Sequence, residues 1–516
     1  MFKLQFSILV TRTKYNCMRK PYIVGIDIGT GSTKAISIDL DGHVLHVSQC
    51  GYPTLNPEPG YSEQNPEDIW EGFKSCINDT VQQLGYTPDV ISLSSAMHSF
   101  IPVDDQGLSL HNMITWADAR SETMAEMLRE SAEAEFIYNT SGTPIHAMSP
   151  LCKLLWLKGR NKALFEQTHK FISIKEFIWF RLFKAFEIDY GLASATGLFD
   201  IIKLQWNAGI LEIAGISAER LSTPVNTNFC REIEDPELLA TLHLVAGIPI
   251  VIGSSDGCCA NLGSAVTDDY KAALTIGTSA AVRVTSPAPV YNFKAMTFNY
   301  LLDEKTYVCG GPLNNGGVAI DWAIEKFLDT PEASEADYEY FFKQVSDTPA
   351  GAGGLIFVPY LTGERAPVWD TAVTANFIGL QLHHSRQHFF RAVLEGVCMA
   401  INEVLLAVER ATMPIKQLNI SGGFLNAPVW MQVLANVTGK KLVVVQADDA
   451  SAIGAIILAA RTLCPEAKLE EKLYRETQTI MPDYSQHEVY KKLQPVYGRL
   501  YDDLKTVMHT LKSLAH

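Results

Sequence analysis

No apolar run in this 516-residue chain is long enough to span a bilayer, so no membrane-spanning helix is expected. Basic charge is scarce as well. A formal net charge of −15 argues against nonspecific binding of nucleic acid or anionic membrane, both of which need cationic surface. Any anionic substrate must therefore find a local cationic pocket against an unfavourable overall field. The ten cysteines have no metal-ligand spacing: Cys258 and Cys259 are adjacent and the rest are scattered. That usage reads as reduced, mostly buried thiols of a cytosolic protein. There is no G-x-x-x-x-G-K-[ST] loop, no G-x-G-x-x-G after a strand and no H-E-x-x-H helix, which disfavours a P-loop kinase or a Rossmann dehydrogenase. No linker is rich in Pro, Gly or Ser. The two large domains that this length implies, 21–265 and 266–516, therefore meet at a packed hinge near residue 265 rather than a tether. Residues 1–20 stand apart. Lys3 and the short apolar run after it only faintly resemble a signal peptide, no small-residue cleavage site follows, and Met18 directly precedes the first strand, so this stretch reads as a leader or a misassigned start.

What is present is concentrated in two similar turns. IVGIDIGTGSTKAISIDL (residues 23–40) and AALTIGTSAAVRV (residues 272–284) each read as an apolar strand, a Gly-Thr turn and a second strand. Such a hairpin lets backbone approach a ligand closely and aims amide N–H groups and hydroxyls at one point, which suits phosphate oxygens. In the first, Thr30, Gly31, Ser32 and Lys34 would supply backbone, hydroxyl and cationic contacts; Gly277 and Thr278 are the counterparts in the second. Two such turns suggest related halves facing one nucleotide across a cleft.

The remaining pattern is α/β. Asp41-Gly42 marks a hairpin with a returning strand over 43–47, and Asn65-Pro66 opens a helix over 66–84 with Asn65 as N-cap. Residues 120–240 read as mostly helical, and 248–253 as a strand. A long helix over 385–411, a strand into 419–423, a helix after Asn426, a strand over 441–445 and an apolar helix over 450–460 follow; 469–516 reads as amphipathic helix.

Several residues carry chemistry in this frame. Asp27, two positions before the first turn, is either a strand-end carboxylate capping a turn or a carboxylate that holds Mg²⁺ against nucleotide phosphates. Asp256, just past a strand, is either part of an ordinary Asp-Gly turn or a general base facing a substrate hydroxyl. Met97-His98 and Trp116-Ala117-Asp118-Ala119-Arg120 are core residues on the plain reading. On the functional one they line a polyol site, with His98, Asp118 and Arg120 as inward donors and acceptors and Trp116 as an apolar face. Gly422-Gly423 lets backbone pass flat against a base or forms a plain tight turn, and Asn314-Asn315-Gly316-Gly317 is a weaker candidate of the same kind.

Taken together, the chain resembles the FGGY family of carbohydrate kinases over residues 21–510. Ala375-x-Phe377-x-Gly379-Leu380, then His388-Phe389-x-x-Ala392-Val393-Leu394-Glu395, satisfies the family's C-terminal signature. The N-terminal signature, Met148-x-Pro150-x-x-Lys153-Leu154-x-Trp156-Leu157, departs from the pattern at Gly159, where a polar residue is expected. SSAMHS (94–99), ITWADARS (114–121), SGTPIHAMSPLCKL (141–154), IDYGLASATG (188–197), GSSDG (253–257) and GGPLNNGG (310–317) are most similar to the members that act on gluconate. The resemblance implies two actin/hexokinase-like, ribonuclease-H-like domains with ATP, Mg²⁺ and a sugar acid in the cleft between them. By motif it makes Asp256 the proton acceptor, Asp27 the metal-linked aspartate and Met97-His98 a sugar-contacting pair. It makes Gly277, Thr278, Gly317, Asp321, Gly422, Gly423 and Asn426 nucleotide contacts. It also implies pairing into homodimers. The implied reaction moves a phosphoryl group from ATP to the terminal hydroxyl of D-gluconate. A gluconate carboxylate would need a cation; Arg120, Lys153, Lys175 and His146 are candidates, each equally readable as a surface charge. The alternatives are a kinase of the same fold for xylulose, ribulose or another polyol, and an actin-like, nonenzymatic ATP-binding protein.

Overall fold

The computed structural model describes residues 20–266, 268, 270–445 and 449–514; the expected leader, apart from Lys20, lies outside the described residues. The first Gly-Thr segment forms a hairpin. Strand β1 (Tyr22–Ile28) pairs antiparallel with β2 (Ser32–Asp39), which places Asp27 opposite Lys34. The Asp41-Gly42 turn leads into β3 (Val44–Gly51). Helix α1 (Pro66–Leu84) begins where its cap chemistry predicts: the Glu67 N–H donates to the Asn65 side chain at 3.1 Å, and Pro66 occupies the first turn. β4 (Val90–Ser95) runs parallel to β1, and β5 (Cys230–Glu232) and β6 (Pro249–Ser255) complete a six-stranded sheet of order β5-β6-β4-β1-β2-β3. The expected helical stretch over 120–240 supplies short helices such as Pro150–Arg160 and Ile174–Phe183, with two- and three-residue strands between them.

The second half repeats the scheme. Helix α2 (Asp256–Gly263) leads to β7 (Lys271–Ile276) and β8 (Ala280–Ser286), an antiparallel hairpin around Gly277-Thr278. β9 (Phe298–Leu301), β10 (Tyr307–Leu313), β11 (Gln417–Ser421), β12 (Lys441–Val445) and β13 (Glu476–Ile480) give the order β9-β10-β8-β7-β11-β12-β13. β11 is parallel to β7 as β4 is to β1, and β13 closes the edge antiparallel to β12 as β5 does against β6. These are the two ribonuclease-H-like sheets of the expected fold. β13 is also a correction, since 469–516 reads as helix by sequence. Its Glu-Thr-Gln-Thr-Ile run is exposed on both faces, so no apolar alternation betrays a strand.

Helices α3 (Gly317–Leu328), α4 (Arg386–Glu409), α5 (Pro428–Thr438) and α6 (Ala450–Leu463) complete the parts used below. α6 does not stay with its own sheet. Its Ile456 and Ile457 share a core with Ile23, Val90 and Cys259 of the first half. Contact is backbone to backbone: a Cβ on Gly454 would lie 1.9 Å from the Cys259 carbonyl oxygen, and one on Gly25 would lie 2.2 Å from that of Ala452. Small residues at the start of α6 thus let its N-terminus reach the end of β1. Among the described residues no single helix is long and apolar enough to cross a membrane.

Candidate active site

Asp27 sits one residue from the end of β1 and accepts a hydrogen bond from Ser94 Oγ of β4 at 2.7 Å. Burial pushes its carboxyl up to about 7, and the carboxylates of Asp256 and Asp449 add to the rise; Ser94 and Lys34 oppose it. Asp449 caps α6 by accepting from the Ala452 N–H at 3.2 Å, and Lys34 Nζ stands 3.2 Å from its carboxylate. Three aspartates from distant parts of the chain therefore meet where the two halves touch. Lys34 stands beside Asp449, and Arg283 and Lys175 face Asp256, so the carboxylates are not in excess. Their oxygens do not gather into one three-ligand cluster, although carboxylate oxygen is the donor type that a hard divalent cation prefers.

Asp256 is the first residue of α2, with Ser255 as N-cap. Its Oδ1 accepts from the Gly257 N–H at 2.6 Å. The Asp-Gly pair is a helix start and not a free turn, which fixes the carboxylate. Burial pushes that carboxyl up; the Arg283 guanidinium and the Lys175 ammonium draw it back. Asp256 lines a cavity of about 380 Å³ with Thr30, Met97, His98 and Trp116 from the first half and Thr275, Gly277, Ser279, Arg283 and Arg365 from the second.

His98 is buried and held in one tautomer. Its Nδ1 lies 2.9 Å from the Ala195 carbonyl, which can only accept, so Nδ1 carries the hydrogen. Burial, with Lys153 nearby, drives its pKa down to about 3, leaving Nε2 a neutral acceptor 3.3 Å from Tyr300 Oη. Trp116 donates from Nε1 to Thr30 Oγ1 at 2.9 Å, so the first hairpin and the polyol loop are tied together. Lys153 is a third tie: its Nζ donates to the carbonyls of His98 at 2.5 Å and Thr115 at 2.8 Å. Replacing Lys153 by Met should leave two buried carbonyls without a donor. We expect a loss of about 1–3 kcal/mol of stability together with a raised KM for the acceptor, measured by chemical denaturation and steady-state kinetics.

Asp118 and Arg120 do not point into the cavity, contrary to the polyol-site reading. Arg120 Nε donates to Asp118 Oδ1 at 2.8 Å, and its Nη2 lies 2.6 Å from Glu63 and 2.8 Å from Asp118. The guanidinium stacks 3.8 Å from the Tyr61 ring centroid. With Nε and Nη2 engaged, its face covered and its side chain 1% exposed, Arg120 is held away from the cavity. Of the other candidates for a substrate carboxylate, Lys153 and Lys175 are buried and engaged, and half-buried His146 is held neutral by desolvation and by the Arg365 and Arg129 charges. Lys175 pairs with Asp189 at 2.7 Å and donates to the carbonyls of Ile252 and Ser254. His146 lies against Trp369 and accepts from the Met148 N–H at 3.1 Å.

The expected nucleotide contacts gather on the second hairpin. The Gly277 N–H donates to the Ser279 carbonyl at 2.9 Å, a closure one residue tighter than the one Gly29 makes with Ser32 at 3.0 Å. The Gly317 N–H donates to the Gly277 carbonyl at 2.7 Å, which clamps the start of α3 onto the turn. Gly422 adopts φ +110°, and a Cβ there would lie 2.1 Å from the Ile276 carbonyl oxygen; Gly423 beside it faces open space. Asn426 is exposed at the end of the short turn that follows. Asp321 lies farther along α3 and accepts from Tyr338 Oη at 2.6 Å. On the first hairpin Gly31 is exposed, while Ser32 Oγ accepts from Gln49 at 2.9 Å.

Asp449, Arg283 and Arg365 reach this site without having been singled out from the sequence. Asp449 had a signal: an Asp immediately before a run of small residues, Ala-Ser-Ala-Ile-Gly-Ala, is an N-cap on a helix built for close packing. Arg283 had one too, as the lone cation in an apolar hairpin strand. Arg365, on a loop, had none.

Comparison with known proteins shows the family and the fold. Residues 22–263 match the FGGY family of carbohydrate kinases, N-terminal domain, and residues 272–463 match its C-terminal domain. The chain is 38% identical to the gluconokinase of Bacillus subtilis (strain 168) over 85% of its own length and 86% of that protein. The gluconate kinase of Lactobacillus acidophilus superposes with a TM-score of 0.89 at 31% identity, covering 94% of this chain and 98% of that one. The ligand-bound xylulose kinase of the same organism superposes with a TM-score of 0.90, also at 31% identity, over 95% and 100% of the two chains.

Proposed function

The chain belongs to the FGGY family of carbohydrate kinases, and from that premise we propose that it transfers the γ-phosphoryl group of ATP to the terminal hydroxyl of D-gluconate, forming 6-phosphogluconate. The observation that carries the reading is the position of Asp256. It is a fixed carboxylate in a cavity whose walls come from both Gly-Thr hairpins and from Met97, His98 and Trp116. Phosphoryl transfer asks a protein for alignment, charge neutralisation and a proton acceptor. Asp256 is the acceptor, taking the proton of the C6 hydroxyl as that oxygen attacks. Its carboxylate is fixed at the start of α2, and the Arg283 and Lys175 charges oppose the rise that burial imposes on it. Neutral His98 and the ring of Trp116 offer the acceptor chain a hydrogen-bonding edge and an apolar face. The second hairpin at Gly277-Thr278, the start of α3 at Gly317 and the open flank at Gly423 would surround the nucleotide. Mg²⁺, when bound by Asp27 with Asp449 beside it, would neutralise phosphate oxygens; the buried carboxylate of Asp27, the donor type of a hard divalent cation, supports that assignment.

Gluconate is favoured over a ketose by the 38% identity to a gluconokinase, whereas overall shape fits the gluconate and xylulose kinases equally well. A coupled ADP-release assay on gluconate, xylulose, ribulose and glycerol decides between them. We expect the highest kcat/KM on gluconate; a preference for a neutral ketose would defeat the assignment.

A further inference from the structure

The cavity that holds Asp256 also holds two guanidinium groups. Arg283 lies on β8 and, among the described residues, makes no hydrogen bond and no ion pair; its nearest opposing charge, Asp256, stands beyond ion-pair distance. Arg365 is anchored from one side only. Its Nε donates to Asn314 Oδ1 at 2.7 Å and its Nη2 to the Leu313 carbonyl at 3.2 Å, which leaves Nη1 without a partner. Its guanidinium lies 5.3 Å from the Trp116 ring centroid, on the acceptor side of the cavity. The neighbouring Glu364 offers no relief, because its carboxylate already accepts from the backbone of Asn314 and Arg365 and from the Asn315 side chain.

Two like charges in one partly closed cavity repel each other, and an anion bound between them removes that repulsion. A planar carboxylate matches the fork of a guanidinium. We propose that Arg283 and Arg365 together receive the carboxylate of the acceptor, and so separate aldonates from neutral polyols and ketoses. The inference rests on the gluconate reading and supplies the cation that Arg120, Lys153, Lys175 and His146 do not.

The test uses the full-length protein with Arg283→Leu, Arg365→Leu and the corresponding Lys variants. Gluconate binding and binding of a nonhydrolysable ATP analogue are measured by calorimetry, and ADP release is measured with gluconate as acceptor. Each Leu variant should lose about 10- to 100-fold in gluconate affinity while holding the ATP analogue nearly as well as wild type. The Lys variants, which keep the charge but not the fork, should lose less; they carry the test if a Leu variant does not fold, as judged by analogue binding. Retained gluconate affinity in the variants would overturn the assignment. So would an equal loss for gluconate and the analogue, which would make these arginines phosphate ligands. A wild-type protein that does not phosphorylate gluconate would instead sink the gluconate reading itself.

Discussion

Replacing Asp256 by Asn should lower kcat by about 10²–10⁴-fold and leave affinity for ATP nearly unchanged. The substitution is close to isosteric, and the Asn carbonyl can still accept from the Gly257 N–H, so the start of α2 and the wall it forms should persist. What disappears is the ability to take the hydroxyl proton as the acceptor oxygen attacks phosphorus. The proposed nucleotide contacts lie elsewhere, on the second hairpin, at the start of α3 and at Gly422-Gly423, and the backbone bonds that shape them do not involve this carboxylate. The residual rate reports what alignment and charge neutralisation achieve without a base. Single-turnover kinetics at saturating acceptor, paired with binding of a nonhydrolysable ATP analogue, separates the two terms. Undiminished turnover in the variant would remove Asp256 from the reaction and return the nonenzymatic, actin-like reading to contention.

Much of the fold is legible in the sequence because it is set locally. The hairpins at Gly29-Thr30 and Gly277-Thr278 follow from apolar alternation broken by turn residues, and α1 starts at Asn65-Pro66 because that pair is a cap and a first-turn residue. The long helix α4 shows through its periodicity and its Ser385 cap. The site is less legible, since its members are brought together by long-range packing. Asp27, Asp256 and Asp449 converge only because α6 crosses to the first sheet on Gly25 and Gly454, and no local pattern specifies where a helix will dock. Direction is the other gap. Periodicity shows that Asp118 and Arg120 neighbour Trp116; it does not show that Glu63 and Tyr61 wait beneath them. The same blindness hid Arg283 and Arg365, which face the cavity that the sequence reading assigned to other cations.

Arg120 puts that difference to experiment. If it met a substrate carboxylate, Arg120→Ala would weaken gluconate binding in an otherwise normal protein. The structure predicts a different outcome, a loss of about 3–5 kcal/mol in folding stability. Asp118 and Glu63 are 0% and 8% exposed at the side chain, and both direct oxygens at the one guanidinium. Removing it strands two carboxylates away from water, with the Ser62 and Arg120 backbone N–H groups left to Asp118 and the Asn112 side chain and the more distant His111 ring left to Glu63. Coulomb repulsion between the stranded charges adds to their desolvation, which is why breaking such a network costs more than the network contributes when whole. Neutralising all three together, as Glu63→Gln, Asp118→Asn and Arg120→Met, should recover much of the loss, because no uncompensated charge remains. Urea denaturation of the single and triple variants, alongside gluconate affinity of whichever remain folded, distinguishes the two roles. A single variant of wild-type stability with weakened gluconate binding would restore Arg120 to the substrate site and leave Arg283 and Arg365 in need of another ligand.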